Sequence, residues 1–209
     1  MKKTLVLLVL IATVMCNYSK AQIGIQAGVV GILGEAFTTD DGLDAAGGSM
    51  GYTFGLLYNH SVGDNFVFQP ALNLVNKSWK DELDNGFEIV DTKVSVNYLE
   101  IPLQFLYTGG KSKGLVIGGG PSIMYSMSGK RTITVDGDEE SSSKLSFGSE
   151  DDQEKPLTIA LNLMAGYSFG SLFVNLNYSL GITNQPDDFI DRGNESHLAL
   201  RVGYLLGKK

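Results

Sequence analysis

Cysteine is nearly missing from this 209-residue chain: Cys16 stands alone, inside an apolar front end. A disulfide framework is therefore excluded, and so is a cysteine-ligated metal site in the remainder. Histidine is almost as scarce, with His60 and His197 only, which leaves little material for a histidine-based catalytic or metal centre. Cations are in deficit, 16 Lys and Arg against 23 Asp and Glu, so a phosphate backbone would be repelled and nucleic acid is not an expected partner. After the front end no apolar run reaches the roughly 18 residues of a membrane-crossing helix. Helical periodicity is also wanting, whereas glycine is abundant at 26 residues without a collagen-like repeat. These shortages leave an all-β chain as the expected class.

The front end has Lys2 and Lys3, an apolar run from Leu5 to Met15, and small residues at Ser19 and Ala21. That is the layout of a secretory signal peptide cut before Gln22, and the run is too short to span a bilayer as a helix. A lipoprotein cleavage motif at Cys16 would need a small residue where Met15 stands. Residues 1–21 are thus expected to be removed, leaving one domain at 22–209. The signal carries Lys2, Lys3 and Lys20 and no acid, so the mature chain keeps 13 basic against 23 acidic groups.

Eight alternating or near-continuous apolar segments follow, near 23–33, 50–61, 66–79, 94–107, 114–127, 157–169, 172–182 and 196–206. They are longer than the usual strand of about 5–6 residues and long enough to cross a bilayer at a tilt. The stretches between them alternate: 34–49, 80–93, 128–156 and 183–195 are long, whereas 62–65, 108–113 and 170–171 are short. Long loops at one end and tight turns at the other predict an eight-stranded antiparallel up-and-down transmembrane β-barrel in a bacterial outer membrane. Loops would then be extracellular, with turns and both termini periplasmic.

Parity supports this plan. At 157–169 Leu157, Ile159, Leu161, Leu163, Tyr167 and Phe169 share one face, while Thr158, Ala160, Asn162, Gly166 and Ser168 share the other. The interior of an eight-stranded barrel has room only for packed side chains, and the small polar set fits it. The large apolar face must then look at lipid. Tyrosines favour the two membrane interfaces, and on this topology Tyr52, Tyr125 and Tyr178 fall toward the loop end, Tyr58, Tyr107, Tyr167 and Tyr204 toward the turn end. Pro70, Pro102 and Pro121 fall inside strands, where each removes a ladder hydrogen bond and predicts a bulge or bend.

The stretch NYLEIPLQFLY (97–107), a short turn and LVIGGGPSIMY (115–125) resemble the PorT-type outer-membrane β-barrel family common in Gram-negative Bacteroidota. IGIQAGVVGILG, FVFQPALNLVNKSW and a final Val-Gly-Tyr-Leu-Leu extend the likeness over nearly the whole mature chain. The resemblance implies an eight-stranded barrel; one namesake family member is associated with type IX secretion. Gly207, Lys208 and Lys209 end the chain where an aromatic residue is the common pattern.

Charged residues inside such a barrel need partners. Glu100 is the only acid deep in a spanning segment and Arg201 is an inward base at comparable depth, so the two are expected to pair, directly or through Gln69, Asn73 or Gln104. The bland reading is a lumen-filling pair that fixes register; the sharp one is a proton relay or solute-selecting ring. The longest loop carries Asp136, Asp138, Glu139, Glu140, Glu150, Asp151, Asp152 and Glu154, a candidate weak divalent-cation site that lacks the glycine and terminal glutamate of an EF-hand. A solvated acidic tip is the simpler reading. Acids in the other long loops make the whole loop end anionic, suited to lipopolysaccharide bridged by cations. A serine hydrolase would have only His197 with Ser196 or Ser179 and Glu195 to draw on, and no nucleophile elbow is present. No catalytic residues, cofactor or defined metal site are therefore expected.

The expected function is that of a non-enzymatic outer-membrane protein acting through acidic loops in envelope structure, adhesion or docking of secretion components. A narrow porin-like channel and, less in keeping with the residues, a lipid-modifying enzyme are the alternatives. Expected partners are outer-membrane lipid and lipopolysaccharide, the barrel-assembly machinery, and another envelope or secretion protein.

Overall fold

The computed structural model describes residues 22–32, 50–84, 89–109, 113–135, 138–148, 156–182 and 196–206. They form nine strands: β1 (Gln22–Ile32), β2 (Gly51–Val62), β3 (Phe66–Asp84), β4 (Ile89–Tyr107), β5 (Lys113–Val135), β6 (Asp138–Lys144), β7 (Leu157–Phe169), β8 (Leu172–Gly181) and β9 (His197–Leu206). All pair antiparallel, in the order β4-β3-β2-β1-β9-β8-β7-β5, and the β4–β5 ladder closes eight of them into a ring. Closure matters because a sheet edge in hydrocarbon would leave unpaired N–H and C=O groups that no water can satisfy.

The two-residue period decides which way each side chain points. Along β7 the odd residues are outward, with Leu163 56% exposed, while Thr158, Ala160 and Asn162 are fully buried. The outer wall is a continuous apolar band that includes Ile23, Leu56, Phe105, Leu115, Ile123 and Leu176. The lumen holds Gln26, Asn73, Glu100, Asn162, Asn177 and Arg201. A barrel dissolved in water would invert this arrangement, so the band is the lipid contact. Aromatic rings gather at the turn end, where Phe66 meets Tyr107 edge-on at 5.5 Å, Phe68 lies 4.9 Å from Phe105, and Tyr167 lies 4.7 Å from Phe169. Two residues, Gly170 and Ser171, suffice to join β7 to β8, because Gly170 adopts φ +99°, a conformation that suits only glycine comfortably.

Each strand proline sits beside a gap in the ladder to the preceding strand. The β2–β3 ladder skips from Leu57–Ala71 to His60–Phe68 around Pro70. The β3–β4 ladder skips between Pro70–Leu103 and Asn73–Glu100 around Pro102, and the β4–β5 ladder between Pro102–Ser122 and Phe105–Gly119 around Pro121. The strands run through, at the cost of missing pairs rather than ended elements. A register shift opposite Asn97 and Tyr98 leaves Met127 as an extra, bulged residue on β5.

Two connections read from the sequence as loops are corrected. Pairing of β3 with β4 continues to Asp84–Ile89, well into the supposed 80–93 loop. Likewise β5 runs to Val135, and β6 folds back along it inside the supposed 128–156 loop. The reason is that beyond the bilayer both faces of a strand are wet. The ladder persists there without the apolar alternation that reveals a strand in lipid.

Candidate functional site: the lumen

The inward residues fall into three layers. The loop-side layer has an apolar cluster in which Val30, Val75, Val94, Val96, Tyr98 and Met124 join Ala160 and Ala199, with Thr53, Asn76, Lys77 and His197 buried at the same end. Leu145 and Phe147, just after β6, pack against this cluster, and the Leu145 N–H donates to the Gly129 carbonyl at 3.0 Å. At the edge of the layer the Lys77 ammonium stands 4.8 Å from the centre of the Tyr98 ring, a cation–π distance. Both residues are essentially inaccessible to solvent.

The middle layer is ionic. Glu100 on β4 faces Arg201 on β9 across the lumen, with Arg201 Nη2 at 3.0 Å from Glu100 Oε2. Asn73 on β3 donates to the same oxygen at 3.0 Å, and Asn162 on β7 donates to Oε1 at 3.0 Å. Gln26 on β1 donates to Asn73 Oδ1 at 2.8 Å. Five strands are thus tied to one carboxylate, a buried charge with a cation and two amides as partners. A buried charge requires such company, because removing water from it without compensation is costly. Of the three polar partners expected from the sequence, only Asn73 joins. Gln69 instead donates to Asn59 at 2.6 Å nearer the turns, and among the described residues the Gln104 amide nitrogen has no hydrogen-bond partner. Asn162, Gln26 and Lys77 carry no signal in the sequence beyond the parity that puts all three inside.

The turn-side layer is a cavity of about 360 Å³. Polar walls come from Gln22, Asn59, Gln69 and Asn175, apolar ones from Leu106, Val116, Met164 and Leu205. Two inward positions facing this region, Gly166 and Gly203, carry no side chain. A Cβ on Gly203 would come within 2.1 Å of Phe173 Cζ, so the Phe173 ring occupies the space that the glycine leaves and forms one wall.

His197 and Ser179 face each other in the β8–β9 ladder and both are fully buried; among the described residues the serine oxygen and both imidazole nitrogens have no hydrogen-bond partner. Ser196 is buried too, His60 lies on β2 beside the turn end, and Glu195 lies outside the described residues. Of the acidic loop, Asp136, Glu150, Asp151, Asp152 and Glu154 lie outside the described residues. Asp138, Glu139 and Glu140 belong to β6, with side chains outside the described part. Among the described residues no cluster of three or more His, Cys, Asp or Glu is placed to hold a metal ion.

Among solved structures the chain is similar to Ail, the attachment invasion locus protein of Yersinia pestis, in complex with the heparin analogue sucrose octasulfate. Identity is 11%, over 89% of this chain and 97% of that one, with a TM-score of 0.45. Neisserial surface protein A is similar at 11% identity, 89% and 97% coverage and a TM-score of 0.43. An outer membrane channel from Pseudomonas putida F1 follows at 10% identity, 89% and 95% coverage and a TM-score of 0.28. No curated protein matches the sequence. The model of the outer membrane protein beta-barrel domain matches residues 16–185. With that match and a closed eight-stranded ring under an apolar outer wall, the chain belongs to the outer membrane protein beta-barrel family.

Proposed function

We propose that this barrel is a non-enzymatic protein whose work is done on its loop side, in adhesion or in docking another envelope or secretion protein. The observation that carries the reading is the sheet that β3, β4, β5 and β6 continue past the ring. The last β2–β3 pair is Thr53–Val75 and the last β5–β7 pair is Tyr125–Leu157. Beyond them β3 lacks a neighbour on one side and β6 on the other, among the described residues. Two such strand edges offer backbone donors and acceptors to an extended segment of a partner, the mode of β-strand addition. The acidic sequence of this end favours a basic partner, or lipopolysaccharide bridged by divalent cations through Asp136, Asp138, Glu139, Glu140, Glu150, Asp151, Asp152 and Glu154.

On this reading the loops face the exterior and the turns and both termini face the periplasm, after removal of residues 1–21 and insertion by the barrel-assembly machinery. The NYLEIPLQFLY stretch supports placement with the PorT-type barrels of Bacteroidota. The Glu100–Arg201 pair is then a structural tie rather than a relay. Because the mature sequence has no cysteine, a Ser142→Cys variant gives β6 a single reactive thiol. A membrane-impermeant maleimide should label it on intact cells, and photo-cross-linking from the same site should capture a defined envelope protein. Labelling only after the outer membrane is broken would reverse the orientation and sink the proposal.

A further inference from the structure

We propose that the turn-side cavity is a binding site for a small, neutral, hydroxyl-rich ligand with an acetamido group, the chemistry of an N-acetylated sugar ring. An eight-stranded barrel normally fills its interior with side chains. Here a space of about 360 Å³ remains at the turn end. That volume lies at the small end of the range for ligand sites, roughly 300–1,000 Å³. The Glu100 network and the valine cluster stand between it and the loop end.

The lining selects the class of ligand. Gln22, Asn59, Gln69 and Asn175 bring amides, and Ser61, Thr108 and Ser168 bring hydroxyls, all groups that both donate and accept hydrogen bonds. Asp64, on the turn at the cavity mouth, is the one charged residue among the lining groups, so neither an anion nor a strongly cationic ligand finds a counter-ion deeper in. Asn175 is 6% exposed and, among the described residues, its Oδ1 has no hydrogen-bond partner. A buried amide oxygen in that condition wants a donor, and an acetamido N–H supplies one. The Phe173 ring offers the flat apolar wall against which the C–H face of a sugar ring packs, while the hydroxyls around its rim reach the amides. The site is independent of the loop-side function proposed above. Only its exposure to the periplasm rests on the orientation given there.

The test is titration of the isotope-labelled, refolded barrel in dodecylphosphocholine micelles with N-acetylglucosamine, and with glucose as the comparison lacking the acetamido group. The expected result is saturable shifts of the Gln69 and Asn175 side-chain amides and the Val116 methyls, with a dissociation constant on the order of 1–10 mM. Glucose should bind at least several-fold more weakly. Val116→Phe, which fills the cavity, should abolish the response, and Gln69→Leu, which keeps the space but removes an amide, should weaken it about tenfold. Shifts that never saturate, equal response to glucose, or shifts unchanged in both variants would overturn the proposal. So would contacts from the detergent chain to Phe173 and Val116 that sugar does not displace, because an acyl chain would then be the occupant.

Discussion

Met124 and Met164 both point into the lumen, from β5 and β7, yet one is packed among Val75, Val94, Val96 and Tyr98 while the other borders a cavity of about 360 Å³. The same side chain therefore serves opposite ends of one interior. On the loop side, branched and aromatic residues pack into one cluster, with Leu145 and Phe147 against it and buried Lys77 and His197 at the same end. On the turn side, Gln22, Asn59, Val116 and Met164 border a space that they do not fill. Between the two stands the Glu100–Arg201 layer, which belongs to neither and ties five strands together. The difference shows how a barrel with too few strands for an open pore can still be divided into a stabilising half and a half with room for a guest.

The largest expected effect lies in the dividing layer. Glu100→Ala leaves the Arg201 guanidinium buried without its carboxylate and should cost about 3–5 kcal/mol in urea unfolding from lipid vesicles. Replacing both partners, Glu100→Leu with Arg201→Leu, should cost much less than the two single changes together, because no charge is then stranded. Additive costs would mean that the pair is not energetically coupled. Next in size, Met124→Ala should cost about 2–5 kcal/mol, whereas Met164→Ala, at the rim of an existing space, should cost less than about 2 kcal/mol. Equal losses would erase the distinction between the halves. The smallest effect is expected in planar bilayers: the wild-type barrel should show no steady conductance, and Val116→Phe should leave that baseline unchanged. A stable open channel in the wild type would instead favour a narrow pore.

Most of the spanning architecture was legible because lipid and lumen impose opposite demands on alternate residues, and the segment around Leu157, Ile159, Leu161 and Leu163 states them without ambiguity. Glu100 and Arg201 stood out for the same reason, as charges on an inward parity. Lys77 shares that parity with Asn73 and Val75 but sits near the membrane boundary, where a lysine reads as surface. Parity puts Gln69 and Gln104 inside but cannot decide a link to Glu100; that depends on height along the barrel, and the register pairs Gln69 with Gln104 and Asn73 with Glu100. The continuation of β3, β4 and β5 beyond the bilayer was illegible because wet strands need no alternation. The cavity was hidden because an unfilled space leaves no pattern in the chain: Val116 and Met164 alternate like any other inward residues.

The division of the lumen is tested most directly by single thiols in a barrel of residues 22–209, which hold no cysteine. Val116→Cys and Met124→Cys are placed in turn in the barrel, reconstituted in vesicles, and exposed to a small water-soluble thiol reagent from either side. The thiol at 116 should react when reagent is on the turn side, and the thiol at 124 should resist reagent from both sides while the barrel stays folded. Comparable labelling at both positions would contradict a sealed loop-side half and show a lumen that is wet throughout.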